Sequence, residues 1–474
     1  MPYWVWGLIG FGAFVAGLAK LWPLRPRRTA LSRILQRHLG TSDPQQVVTV
    51  ERTFPLRLQV DLQKAIEQVV AKETKVVGFY GVEERSVYFA ELVQIAEIFM
   101  SSGGRGGPKA TPPQYEYVSV GDEKPVPVLR NGLWLLKKGR LALALLMVPS
   151  YYRRPAAGMS VQLASRDTAE ARQIMEQLLA AIRQTFEESR SYRGKVLSLE
   201  DDVEDFSGER QHITVLPVPQ VRREEVILPE GTLNAIERNV LEFVKHRDSL
   251  KSRGFHVKKG LLFYGPPGTG KTHTIRYLIS SLQGHTVFVI RAEQMACLSE
   301  YVMLARLLQP SLVVIEDVDL IATQRSEERP NLPLLNRLLD EMDGLSEEAE
   351  ILFILTTNRP LCLEEALAGR PGRIDQAIEF PLPDLGCRCR LIRLYAKGLV
   401  LSESLCEEIA RRTEGVSAAF IKELMRRAWQ CHLENGAGEE LTWPDVQRAL
   451  DEMTVSGGKL NLKLLGAERF GFQS

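Results

Sequence analysis

Eight consecutive residues near the middle of the chain, GPPGTGKT, have types and spacing suited to holding phosphate groups. They are Gly265, Pro266, Pro267, Gly268, Thr269, Gly270, Lys271 and Thr272. Gly265, Gly270, Lys271 and Thr272 stand in the register of the G-x-x-x-x-G-K-[ST] phosphate-loop pattern. Glycines let backbone N–H groups turn inward round an anion with no Cβ in the way. A helix opening near Lys271 would add its N-terminal dipole to the same site. In such a loop Lys271 would hold the β- and γ-phosphates, and the Thr272 hydroxyl would ligate magnesium. The apolar run LLFY, 261–264, reads as the strand leading into the loop. Residues 265–273, His273 included, are the expected nucleotide-binding stretch, with ATP and Mg2+ as the expected ligands.

A second constellation follows at LVVIEDVDL, 312–320, where Glu316 and Asp317 leave an apolar run side by side. The run reads as a buried parallel strand whose carboxyl end would face the phosphate loop across the crevice of a sheet. Side chains alternate along a strand, so the two carboxylates would diverge. One would approach magnesium, and the other would reach toward an attacking water.

The phosphate loop, the acidic strand, LLNRLLDEMDGL (334–345), LTTNRP (355–360), GRPGRID (369–375) and FPLPD (380–384) occur in this order. Together they resemble the AAA branch of the AAA+ ATPases over about residues 222–455. Carried over by position, the resemblance implies that Asn358 orients the attacking water. It implies that Arg370 and Arg373 are arginine fingers reaching into a neighbouring subunit's site. It also implies a ring of identical subunits, usually six. An arginine placed on the developing charge of a transferring phosphoryl group is worth about 10³-fold or more in rate. Arginines supplied by a neighbour would therefore make hydrolysis depend on assembly. The stretch EGVSAAFIKELMRRA (414–428) matches the family's second sensor region, with Ala419 on the adenine side.

Two departures from the family pattern matter. The family usually places aspartate first, for magnesium, and glutamate second, as the base that polarises water. Here Glu316 takes the metal position, through water, and Asp317 takes the base position. One methylene changes reach by about 1.5 Å, and a misplacement of that size can cost about 10²-fold in rate. A reversed pair behind an N-terminal anchor and a middle module is also similar to the mitochondrial inner-membrane AAA translocases of the Rieske protein. The second departure is in RAEQMACLSEYVMLARLLQP (291–310), which holds no aromatic-apolar-glycine tripeptide, since Tyr301-Val302 is followed by Met303. Tyr301 reads as a packed helix residue, and threading of a polypeptide is left open.

The elements that must position these residues give an α/β architecture. A parallel phosphate-loop sheet with helices on both faces occupies 220–383, and a small all-helical lid occupies 384–455. An α+β region at 31–219 precedes them, and 456–474 form a tail. Within 31–219, helical spacing marks 58–73, 88–100 and 168–189. Strand-like runs fall at 115–120, 132–136, 141–148 and 159–164, and the glycine- and proline-rich stretch 101–114 reads as a linker or exposed loop. Residues 3–19 are uncharged, and with Leu21 and Trp22 they reach roughly the twenty residues a bilayer needs. Trp4, Trp6 and Trp22 lie at its ends, and Lys20, Arg25, Arg27 and Arg28 follow. Residues 1–30 thus read as a single transmembrane helix with a basic flank, its N-terminus outside and the ATPase part cytoplasmic.

At 474 residues the chain exceeds one ordinary core, and its net charge of +1 selects no polyanionic partner. No basic stripe interleaved with aromatics supports a nucleic-acid motor or loader. The six cysteines show no paired metal-ligand spacing, and no HExxH zinc-protease pattern occurs within these residues. The expectation is an ATP-hydrolysing, membrane-anchored ring acting on an unidentified protein client, or alternatively an ATP-gated assembly scaffold with slow turnover.

Overall fold

A computed structural model describes residues 31–83, 95–100, 108–122, 124–150, 158–199, 213–217, 220–319, 332–360, 374–397, 400–434, 436 and 440–453. The expected transmembrane stretch 3–22, Arg370, Arg373 and the tail from 454 lie outside them. Among the described residues no helix is long and apolar enough to cross a membrane. The chain divides into two compact units, one of 1–193 with 199–215, the other of 194–198 with 216–474.

The first unit is built on an antiparallel sheet. Its strands are β1 (Val47–Pro55), β2 (Lys75–Val82), β3 (Ala110–Thr111), β6 (Gly132–Lys138), β7 (Leu141–Ser150) and β8 (Gly158–Arg166). They run in the order β1-β8-β7-β6-β2-β3, and β4 (Tyr115–Val118) with β5 (Val126–Leu129) forms a separate hairpin. Leu133, Leu135, Ala144, Leu146, Val148 and Ala164 pack with Leu31, Leu35 and Leu39 of the Leu31–Leu39 helix and with Ile95 and Ile98. The opposite face meets the Gln59–Glu73 and Ala169–Glu187 helices, where Phe54 sets its ring edge-on to Phe186 at 5.2 Å. Helices cover both faces, which is why GLWLL and LALALLMV carry no polar alternation. The stretch 101–114, read as linker, contains the two residues of β3, paired to Gly81 and Val82. A two-residue strand with no apolar run of its own leaves no period to read.

The second unit holds a parallel sheet of β9 (Val196–Ser198), β11 (Lys259–Tyr264), β12 (Thr286–Ile290), β13 (Ser311–Ile315), β14 (Ile351–Thr357) and β15 (Gln376–Glu379). The unit's strands run in the order β9-β12-β13-β14-β11-β15. A further two-residue strand, β10, spans Thr214–Val215. Every pairing within β9 and β11 to β15 is parallel, so all these strands end on one rim. β9 comes from residues assigned by sequence to the 31–219 region, yet Val196 and Leu197 register with Val287 and Phe288 of β12. At three residues it is too short to show a pattern. Leu261, Phe263, Val287, Leu312, Val314, Leu352 and Ile354 bury one sheet face against Ile275 and Leu278 of the Lys271–Ser281 helix and Ile236 of the Glu230–Glu237 helix.

Four helices follow the sheet: Leu385–Ala396, Glu403–Arg412, Ala418–Glu434 and Trp443–Asp451. Asp384 and Ser402 cap the first two by accepting from the N–H groups of Cys387 and Leu405. Leu391, Ile409, Phe420, Leu424, Val446 and Met453 share their core.

Candidate functional site

Three neighbouring strands deliver the site. β11 ends at Tyr264, in register with Thr357 of β14, and Ile315 of β13 is in register with Leu355. The loop after β11, the acids after β13 and Asn358 after β14 therefore emerge side by side at the carboxyl rim, where ligands of parallel sheets bind.

The loop needs its glycines for different reasons. Gly265 takes φ 147°, and a Cβ there would lie 2.2 Å from the Phe380 carbonyl oxygen, inside contact distance. Gly268 takes φ 76°, and its Cβ would fall 2.8 Å from the Ala419 Cβ and 2.9 Å from Ser417 Oγ. The Ala419 N–H also donates to the Gly268 carbonyl at 3.1 Å. Ala419, expected beside adenine, thus sits against the back of the phosphate loop, and a small side chain there lets the helical segment approach. Thr269 Oγ1 donates to the Pro266 carbonyl at 2.9 Å and tightens the turn. Pro266, Pro267 and Gly268 are exposed along its crest, as is Thr272 at the start of the following helix. His273 faces elsewhere: its Nε2 lies 3.1 Å from the Glu225 carbonyl, so that nitrogen is occupied by the protein.

Lys271 is buried, and its ammonium donates to the carbonyls of Gly265 at 2.8 Å and Pro266 at 2.9 Å. Burial lowers its pKa to about 8, and the negative charges of Asp317 and Asp319 oppose that shift. The cation is thus held inside the loop it serves, opposite two carboxylates.

Asp317 adopts φ 50°, a left-handed conformation that among non-glycine residues Asp and Asn tolerate best. Its N–H donates to Thr356 Oγ1 at 3.0 Å. Its carboxylate Oδ1 accepts from Asn358 Nδ2 at 3.0 Å. The structure thus brings Lys271, Asp317 and Asn358 together, while Glu316 is half-buried and anchored through its N–H to the Ile290 carbonyl at 3.0 Å. Tyr301 is a core residue, fully buried and edge-on to Phe288 at 6.2 Å.

Several participants lay beyond the motif reading. Asp319 is 4% exposed and accepts from Thr357 Oγ1 at 2.9 Å and from the Asn358 N–H at 3.2 Å. A third acid two residues after Asp317, and two threonines before Asn358, were the available signals. The Ser417 side chain beside Gly268 carried none.

The family profile described as "ATPase family associated with various cellular activities (AAA)" matches residues 261–382. That span contains the loop, the acids and Asn358. Residues 261–382 are an AAA ATPase domain. Over 250 residues, 50% of this chain, the sequence is 30% identical to the proteasome-activating nucleotidase of Methanocaldococcus jannaschii, covering 57% of that protein. It is 31% identical over 236 residues to the ATP-dependent zinc metalloprotease FtsH 2 of Symbiobacterium thermophilum, covering 46% of this chain and 39% of that protein. To the FtsH of Thermus thermophilus it is 29% identical over 248 residues, 49% of this chain and 39% of the relative. The chain spans about half the length of the curated relatives it matches. An AAA domain uses ATP with magnesium, and the residues present fit that pair. The loop is shaped for backbone to approach an anion, a buried ammonium lies beneath it, and a hydroxyl is exposed at the helix start.

Proposed function

We propose that this chain hydrolyses ATP with magnesium, as a ring of identical subunits, to remodel or move a protein client. The observation that carries the hydrolytic reading is the bond from Asn358 Nδ2 to Asp317 Oδ1 beside the buried Lys271. In it a carboxylate able to take a proton from water is held by an amide at the end of the adjoining strand. Lys271 would exchange its two carbonyl partners for phosphate oxygens, and the loop N–H groups would hold the remaining charge. Thr272 would hold the magnesium directly and Glu316 through water, which leaves Asp317 as the base. When bound, magnesium would neutralise charge on the phosphates. Arg370 and Arg373 would complete the site of a neighbouring subunit. The protein client is inferred from the relatives, whose names are of a nucleotidase that activates the proteasome and of ATP-dependent proteases. The absence of HExxH within these residues confines that likeness to the ATPase part. The uncharged stretch 3–19 with its flanking tryptophans supports a membrane anchor with the ATPase unit on the cytoplasmic side.

Magnesium-dependent hydrolysis measured over a range of protein concentrations tests the reading. Turnover should rise cooperatively with concentration and fall by about 10²-fold or more in Lys271→Ala, Asp317→Asn and Arg373→Ala. Tight ATP binding and assembly with turnover that ignores Asp317→Asn would replace the motor with an ATP-gated scaffold. Recovery of the intact chain in the soluble fraction of detergent-free lysate would remove the anchor.

A further inference from the structure

A carboxylate buried to 4% exposure is costly unless its oxygens are met by donors. At the end of β14, Asp319 finds two such donors. Its Oδ1 accepts from Thr357 Oγ1 and from the Asn358 N–H. The Thr357 hydroxyl oxygen in turn accepts from the Arg359 N–H at 2.9 Å, so the hydroxyl proton is committed to Asp319. Two residues earlier, the Asp317 N–H binds Thr356 Oγ1, and the Asp317 carboxylate accepts from the Asn358 amide. The turn after β13 thus grips Thr356, Thr357 and Asn358 in succession, and Asp319 holds both the backbone of Asn358 and the residue before it.

The orientation of Asn358 depends on that grip. Its amide reaches Asp317 only if its own backbone leaves β14 in the observed direction, and the Asp319 bond to its N–H sets that direction. We propose that Asp319 is a positioning residue for hydrolysis, fixing the β14 turn so that the Asn358 amide is aimed at Asp317. This role rests on the hydrolytic reading above. Asp319 itself is too buried to touch substrate. Its charge also faces Lys271 together with that of Asp317, which places it on the same electrostatic network without making it a ligand.

The test uses the full chain with Asp319→Ala, Asp319→Asn, Asn358→Ala and the Asp319→Ala/Asn358→Ala double variant. Steady-state hydrolysis, ATP and ADP affinities by competition with a fluorescent nucleotide, and thermal unfolding are measured on each. Asp319→Ala should lower kcat by about 10-fold or more while KM stays within about 3-fold, since the loss falls on alignment. Asp319→Asn keeps an acceptor oxygen and should lie between it and the wild type. Because Asp319 acts through Asn358, the double variant should fall no further than Asn358→Ala alone. Multiplying losses in the double variant, or a lower unfolding temperature with kcat unchanged, would overturn the role. A wild-type chain that binds ATP without turnover would sink the hydrolytic reading, and the preference for ATP over ADP would then decide. Loss of that preference in both Asp319→Ala and Asn358→Ala keeps the positioning role, and its retention in Asp319→Ala ends it.

Discussion

Lys271 and Asp317 are each held in a state that the chemistry has to change. The Lys271 ammonium is satisfied by two loop carbonyls, so an incoming phosphate competes with bonds already made. Its pKa near 8 adds a consequence for pH, because phosphate needs the charged form. That form dominates below about 8 and is lost as pH rises through it, so the dissociation constant for magnesium-ATP should climb toward tenfold per unit above that point. A constant affinity from pH 7 to 9.5, measured by titration calorimetry, would contradict this. At Gly265 a methyl group would meet the Phe380 carbonyl at 2.2 Å, so Gly265→Ala should destabilise the chain by roughly 2–4 kcal/mol and abolish nucleotide binding. Denaturant unfolding with a bound-nucleotide assay reads both effects. At this scale the sequence was most legible where function demands rare residue types together. GKT and the adjacent acids were plain. Asp319 was not, because a buried carboxylate is identified by its donors, and Thr357 comes from a strand some forty residues on.

Strands and helices differ in how they announce themselves. β11 and β13 were readable as apolar runs because a parallel strand covered on both faces has no polar side to show. β1 was not separated from its surroundings, since its burial is intermediate or exposed over most of its length. The lid was legible through the family resemblance of 414–428, but the contact of Ala419 with Gly268 depends on the packing of a helical segment on a loop. Along the Ala418–Glu434 helix, Glu423 is bonded by Arg426 and Arg427, which hold its carboxyl at about 2 against an ordinary 4.5. A carboxyl depressed on folding adds stability above the unfolded value and loses it as pH falls from 4.5 through 2. The two arginines are partly solvated, so the contribution at neutral pH is only about 1 kcal/mol. Glu423→Gln should therefore lower the unfolding temperature at pH 7 by a few degrees, with the gap closing toward pH 2.5.

For the whole molecule, the informative feature is the order in which the chain visits its two units. Residues 194–198 enter the ATPase sheet as β9, residues 199–215 return to the first unit, and the chain rejoins the second at 216. A fragment starting at residue 220, where motif reading places the domain, would lack β9 and leave β12 as an unpaired edge. Such a fragment should aggregate or unfold at a lower temperature than one starting at 194, which light scattering during a thermal ramp would show.

The same excursion has a use in protein engineering. The Leu216 N–H donates to the Val196 carbonyl at 2.8 Å, so the path leaves and re-enters the ATPase unit at almost one point. A self-standing motor cassette would run from 194, and the exit and re-entry points would serve as a socket for grafting a different recognition module.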